Sequence, residues 1–220
     1  MPSILQAARR VRETLVPTVV RQLQRELKDC SSVLDLACGR DSPLQFVKVP
    51  YSLGVDIYPP AIEESRKKGI HTSYRQADLT AVAFEDGSFD AVMGFNILEH
   101  LSREDGLNLI ETANRWAKRK VIFSLPNGFL EQDAYDGNPF QVHQSSWSAR
   151  DFQDLGFRVY GMHGWKPLRG RYGKLRLKPA LFWLVVSDLT QLMTYHKPEL
   201  ASTLFATKSR SGLRGAANIA

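Results

Sequence analysis

The sequence predicts a doubly wound α/β fold on a seven-stranded, mainly parallel sheet, with an N-terminal helical extension and a helical insertion before the last strand. Three observations carry this. Short β-rich apolar runs alternate with segments of helical period. Their spacing is that of strand–helix–strand units, which pack as a sheet covered on both faces. Acids stand at or near the ends of the first three runs: Asp35, Asp56 and Asp78. Together these describe a Rossmann-like arrangement, in which ligands bind beyond the carboxyl ends of the strands.

Each element has its own local warrant. Apolar residues recur at 4, 8, 11, 15, 19, 23 and 27, which predicts a helical extension over residues 1–29, interrupted or restarted at Pro17. Ser32–Ala37 is the first strand. Ser42 then caps a helix with Pro43 at its first position, where the missing N–H costs nothing. YSLGVDI (51–57) is the second strand, followed by a helix from about Pro60 to Lys68. Residues 70–76 form a weaker third strand and FDAVMGF (89–95) the fourth. Ser102 and Asp105 form a capping-box pattern before a helix that buries Leu109, Ile110, Ala113, Trp116 and Ala117. VIFSL (121–125) is the fifth strand, closed by Pro126-Asn127-Gly128. After a loop at 127–146 come a helix (148–155), a strand (Phe157–Met162), an insertion (165–200) and a last strand (Ser202–Thr207). One domain therefore spans 30–207, with a polar tail at 208–220.

The bulk numbers exclude several classes. At 43% hydrophobic residues and a mean hydropathy of −0.27, the composition is that of a soluble globular chain. No apolar run approaches the roughly 20 residues that span a bilayer. The N-terminal segment lacks the order of a secretory signal, and two cysteines, Cys30 and Cys38, make no disulfide framework, so a cytoplasmic protein is expected. The net charge of +6 is uneven. Residues 166–220 carry ten Lys or Arg against Asp188 and Glu199, a net of +8, and residues 1–165 carry 19 against 21 acids, a net of −2. A polyanionic partner would meet the C-terminal quarter.

Gly39 lets the backbone turn tightly against a ligand, and an acid closing the second strand is placed to accept hydrogen bonds from ribose hydroxyls. Gly39 is the only glycine in 33–43, which excludes the Gly-x-Gly-x-x-Gly of a nicotinamide site. VLDLACG (33–39), GVDIYPPAI (54–62) and QADLTAVAFEDGSFDAVMGFNILEHL (76–101) together resemble the ordered motifs of class I S-adenosyl-L-methionine (SAM)-dependent methyltransferases, over roughly residues 30–162 and the final strand.

The resemblance implies SAM as cofactor, with Asp35, Ala37 and Gly39 around its methionine part and Asp56 on the ribose hydroxyls. It places Ile57 against the adenine, Asp78 and Leu79 at the adenine amine, and Phe95 and Asn96 beside the sulfonium. The Leu98-Glu99-His100-Leu101 string is similar to members acting on small molecules. The family's Gly-x-Gly-x-Gly reads Ala37-x-Gly39-x-Asp41 here, so Asp41 is expected to cap the following turn. The Asn-Pro-Pro-Tyr string of many nucleobase methyltransferases is replaced by Phe95-Asn96-Ile97-Leu98.

Methyl transfer from a sulfonium needs alignment and exclusion of water, and a base only if the acceptor must lose a proton. His100 and His143 are the candidate bases, each with the alternative of a structural hydrogen bond. Phe140 and Trp147 flank His143, so that loop is expected to close over substrate. The acceptor is expected to be a hydroxyl or other heteroatom of a small, amphiphilic molecule; the alternative is a non-catalytic binding or scaffold protein of the same fold. KPLRGRYGKLRLK (166–178) holds six basic residues and no acid, and ALFWLVV (180–186) follows it. Residues 166–193 thus form either a packing cap, on the sheet edge or a second subunit, or an interfacial element. The latter would meet anionic lipid, with Phe182 and Trp183 dipping into the acyl boundary and the protein peripheral at the membrane. Nucleic acid is disfavoured, because no recognised module accompanies the charge.

Overall fold

The computed structural model describes residues 16–134, 137–168 and 178–210. Seven strands form one sheet: β1 (Ser32–Leu36), β2 (Tyr51–Asp56), β3 (Ser73–Gln76), β4 (Phe89–Phe95), β5 (Ala117–Pro126), β6 (Arg158–Trp165) and β7 (Ala201–Ser209). Their order is β3-β2-β1-β4-β5-β7-β6. Pairing is parallel from β3 to β5, and β7 runs antiparallel to both β5 and β6. The order reverses between β1 and β4, which opens a crevice at their carboxyl ends.

Strand alternation sends side chains to two cores. Leu34, Leu36, Val92, Val121 and Phe123 meet α3 (Arg103–Trp116) and α4 (Ala149–Asp154) through Leu109, Ile110, Trp116 and Phe152. Val33, Ala91, Met93, Ile122 and Phe205 face the other way, onto Leu23 and Leu27 of α1 (Val19–Glu26) and its C-cap. Thr18 caps α1, so the helix begins just past Pro17. The expected helix N-terminal to residue 16 lies outside the described residues, as does the tail beyond 210. Between β2 and β3 runs α2 (Pro59–Lys67), burying Ala61, Ile62 and Ser65.

Three local expectations shift. The helix expected after Ser42 is only a 3-10 turn, Pro43–Phe46, because β-branched Val47 and Val49 and then Pro50 pull the chain into extended backbone. The third strand starts at Ser73 rather than at 70. Thr72 instead exchanges side-chain hydrogen bonds with Ser52, and His71 turns into the interior. Ala117 opens β5 instead of ending α3, yet it stays buried.

In the 165–200 insertion, α5 (Ala180–Thr194) packs on β6 with its polar side inward. Ser187, Gln191 and Thr194 are buried, whereas Phe182, Val185, Leu189, Leu192 and Met193 are exposed. The reason lies in the sheet edge. β6 is the last strand, so its outer backbone groups need partners. Gln191 supplies two, accepting from the Gly164 N–H at 2.7 Å and donating to the Gly161 carbonyl at 2.8 Å. Thr190 Oγ1 accepts from the Trp165 N–H, and Ser187 donates to the His163 carbonyl. A Cβ at Gly161 would stand 2.1 Å from the Thr194 carbonyl oxygen, so only glycine admits this close approach.

Candidate active site

A cavity of about 920 Å³ opens at the carboxyl ends of β1, β2, β4 and β5. It brings together Asp35, Ala37, Gly39, Asp56, Ile57, Asp78, Leu79, Phe95, Asn96 and His100, the whole expected set except His143.

The first turn is built from strained and braced backbone. Ala37 (φ +52°) and Gly39 (φ +56°) both take left-handed conformations. That conformation costs an alanine about 1 kcal/mol or more, so the surroundings must hold it. Asp56 supplies part of that hold: its Oδ2 accepts from the Gly39 N–H at 2.8 Å and its Oδ1 from the Tyr58 N–H at 2.9 Å. Burial holds the Asp56 carboxyl above its usual range, with the Tyr58 and Gly39 amides pulling the other way. A carboxylate oxygen can accept more than one hydrogen bond, and Asp56 lines the cavity. Asp41 does not cap the turn. It is exposed and pairs with Lys68 at 2.5 Å, while Ser42 accepts from the Leu44 N–H.

Asp35 has a different first duty from the one expected. Its Oδ2 accepts from Ser42 Oγ at 2.5 Å and from His71 Nε2 at 2.9 Å, all three side chains being buried. The acid is therefore anchored by protein groups on one oxygen while still reaching the cavity wall. Sequence reasoning missed His71. The signal was Gly54: a Cβ there would meet Cys38 Sγ and the His71 ring at 3.0 Å, so a glycine inside β2 marks the histidine's path.

Asp78 is exposed just past β3, its Oδ1 accepting from Thr80 N–H and Oγ1. Asn96 sits at φ +51° beyond β4, its N–H bonded to the Ser124 carbonyl at 2.7 Å. Cys38 is buried, and burial pushes its thiol well above the usual range, ahead of the effects of Asp35 and Asp56. It is no nucleophile.

At the far side of the cavity, residues 98–100 form a 3-10 turn onto which the loop after β5 is strapped. Gln144 and Ser145 N–H groups donate to the Glu99 carbonyl, Gln144 Nε2 to the His100 carbonyl, and Ser145 Oγ to the Leu98 carbonyl. The strap sets His143 edge-on against His100, ring centroids 4.8 Å apart. Both imidazoles point Nδ1 at a carbonyl, Val142 for His100 and Leu130 for His143. A carbonyl only accepts, so Nδ1 carries the proton and Nε2 keeps its lone pair. Burial drives His100 down to about 4 and lowers His143 as well, so both rings are neutral at pH 7. Phe140 stays half-exposed at the cavity mouth, but Trp147 is buried in the core, its Nε1 bonded to Leu98 and Ser145. The loop cannot close through Trp147.

Residues 34–125 match a family model described as a methyltransferase domain. Over those residues the chain is similar to that domain. A SAM-dependent methyltransferase from Archaeoglobus fulgidus superposes with a TM-score of 0.55 at 19% identity, over 90% of this chain and 94% of that one. Magnesium protoporphyrin IX methyltransferase from Synechocystis, with bound S-adenosylhomocysteine, gives 0.51 at 16% identity over 96% and 89%. By sequence, a probable tRNA methyltransferase 9B of Bos taurus is 30% identical over 83 residues, 38% of this chain. That segment is 18% of the relative's length, so the chain spans about a fifth of the curated relatives it matches first.

The cavity fits the cofactor its fold implies. Small-molecule sites run from roughly 300 to 1,000 Å³. Asp35, Asp41, Asp56 and Asp78 line the cavity against one cation, Arg40, which pairs with Glu64. A sulfonium and an ammonium suit such walls, and the Asp56 oxygens offer two acceptor directions for a ribose diol.

Proposed function

We propose that this protein transfers the methyl group of SAM to a hydroxyl or other heteroatom of a small, amphiphilic acceptor. The observation that carries this reading is the single cavity that joins the braced Gly39–Asp56 turn to His100. SAM supplies a methyl on a positive sulfur: the acceptor's lone pair forms the new bond to carbon as the carbon–sulfur pair returns to sulfur, and the acceptor proton leaves to solvent.

The residues divide the work. Asp56 holds the ribose, Ile57 and Leu79 cover the adenine, and Asp78 meets its amine. Phe95 and Asn96 flank the methyl-bearing end, with Asp35, Ala37 and Gly39 around the methionine part. His100, neutral and with Nε2 free of the carbonyl bond, meets the acceptor; His143 supports it from the loop. The acidic lining favours a neutral or cationic acceptor over a polyanion such as RNA.

Membrane presentation of the acceptor is part of the proposal. The stripe Phe182, Val185, Leu189, Leu192 and Met193 lies on one side of α5 at helical spacing, and each of its side chains is 45% or more exposed. In sequence six basic residues precede it in 166–178, of which 169–177 lie outside the described residues, and a composition of this kind suits an anionic lipid surface. Trp183 is half-buried and bonded to the Lys178 carbonyl, so Phe182 leads the contact. His163 lines the cavity and its carbonyl accepts from Ser187, so α5 packs beside the cavity wall. Among the described residues no helix is long and apolar enough to cross a membrane, so attachment is to the surface.

The chemistry is tested by incubating the protein with methyl-labelled SAM and a cell extract, then separating products by mass spectrometry. Labelled, lipid-extractable product supports the reading; label in RNA alone overturns the acceptor class. Co-sedimentation with neutral and anionic vesicles at about 0.05 and 0.5 M salt tests attachment, since screening weakens charge attraction. Protein left in solution with anionic vesicles at low salt overturns it.

A further inference from the structure

Glu99 is a puzzle left by the fold. It sits between Leu98 and His100 at 4% exposure, and its Oε2 is the one buried side-chain oxygen among the described residues with no hydrogen-bond partner. A buried carboxyl oxygen without a partner has lost its water and gained nothing in exchange. A leucine would avoid that cost. Something else must use the oxygen.

What surrounds it is specific. One ligating atom each from Glu99, His100 and His143 lie within 4.8 Å of one another. Each imidazole has its Nδ1 on a backbone carbonyl, the contact that metal-bound histidines usually make with the nitrogen that does not ligate. The strap from Gln144 and Ser145 to residues 98–100 holds the two segments in this register. We propose that Glu99, His100 and His143 form a divalent-cation site on the acceptor side of the cavity.

The donor set, two imidazoles and one carboxylate, suits Zn²⁺, Co²⁺, Mn²⁺ or Fe²⁺ rather than Ca²⁺ or Mg²⁺, which prefer oxygen. Ligands about 2.1 Å from a shared ion stand roughly 3.0–3.4 Å apart, so the three side chains draw together by somewhat over an ångström on binding. Three protein ligands leave a coordination position open, the pattern of a metal that meets substrate. His100 lines the cavity, so that position lies on the cavity side. An acceptor oxygen entering it is held against the methyl-bearing end and gives its proton to water more readily, because the ion stabilises the oxygen's lone-pair charge. The ion's role toward the acceptor rests on the methyl-transfer reading; its binding does not.

The test uses the full chain, treated with chelator and dialysed against Zn²⁺, Co²⁺ or Mn²⁺ alone. Metal content is read by mass spectrometry, and for Co²⁺ the visible bands report nitrogen and oxygen ligands. The expected result is one ion per chain, with Glu99→Gln and His143→Ala each weakening it at least tenfold. Neither residue lines the cavity, so S-adenosylhomocysteine affinity measured on the same variants stays within about threefold. Thermal melts show which variants are folded, and one folded variant suffices. Sub-stoichiometric binding by the wild type, or undiminished binding in a folded variant, overturns the site. Loss of S-adenosylhomocysteine binding by the wild type would instead overturn the methyltransferase reading and leave the metal result standing.

Discussion

Replacing Asp56 by alanine separates the cofactor grip from the rest of the fold. The carboxylate has two duties. It accepts from the Gly39 N–H at 2.8 Å and from the Tyr58 N–H at 2.9 Å, and it presents its remaining lone pairs to the ribose. Losing a charge-assisted pair of bonds to the diol costs about 1.5–3 kcal/mol, roughly a ten- to hundredfold rise in the SAM dissociation constant. The two amides freed in the protein border the cavity, where water replaces the carboxylate. Removing a buried charge also offsets part of that loss, so the stability penalty stays near about 1–2 kcal/mol. Calorimetric titration with SAM measures the affinity and urea unfolding the stability. Asp56→Asn, which keeps an oxygen for one amide, falls between the two. Unchanged affinity in a folded Asp56→Ala protein refutes the ribose assignment.

His71→Ala leaves the buried Asp35 with Ser42 as its remaining side-chain partner and should cost about 3 kcal/mol of unfolding free energy, because the charge loses a buried partner. Gly161→Ala forces a Cβ to within 2.1 Å of the Thr194 carbonyl, so α5 must lift from β6; a stability loss of about 2 kcal/mol or more by urea unfolding is expected. Leu189→Glu, at a side chain 65% exposed, should leave the melting temperature within a degree or two but reduce sedimentation with anionic vesicles. If vesicle binding is unaffected, the stripe does not face lipid.

The elements and their order were legible along the chain because each depends on contacts within a few residues. Most of the β-rich runs, the Ser102 cap and the Gly39 turn appear where period and turn chemistry place them. The meeting of three acids in one cavity was legible for the same reason: Asp35, Asp56 and Asp78 are tied to strand ends, and strand ends converge in this topology. What remained hidden depends on distance in sequence. Asp35 reads as a ligand group until His71, 36 residues away, is brought to 2.9 Å by the glycine at 54. His100 and His143 read as separate candidate bases until the strap after β5 sets one ring against the other, beside Glu99. The α5 sequence shows apolar residues on most sides but not which side the fold buries. The open edge of β6 decides that, since its backbone groups need the hydroxyls and amide of Ser187, Thr190 and Gln191 more than the core needs another leucine. Local pattern specifies what each segment becomes; only the packed sheet specifies which unmet polar groups face it.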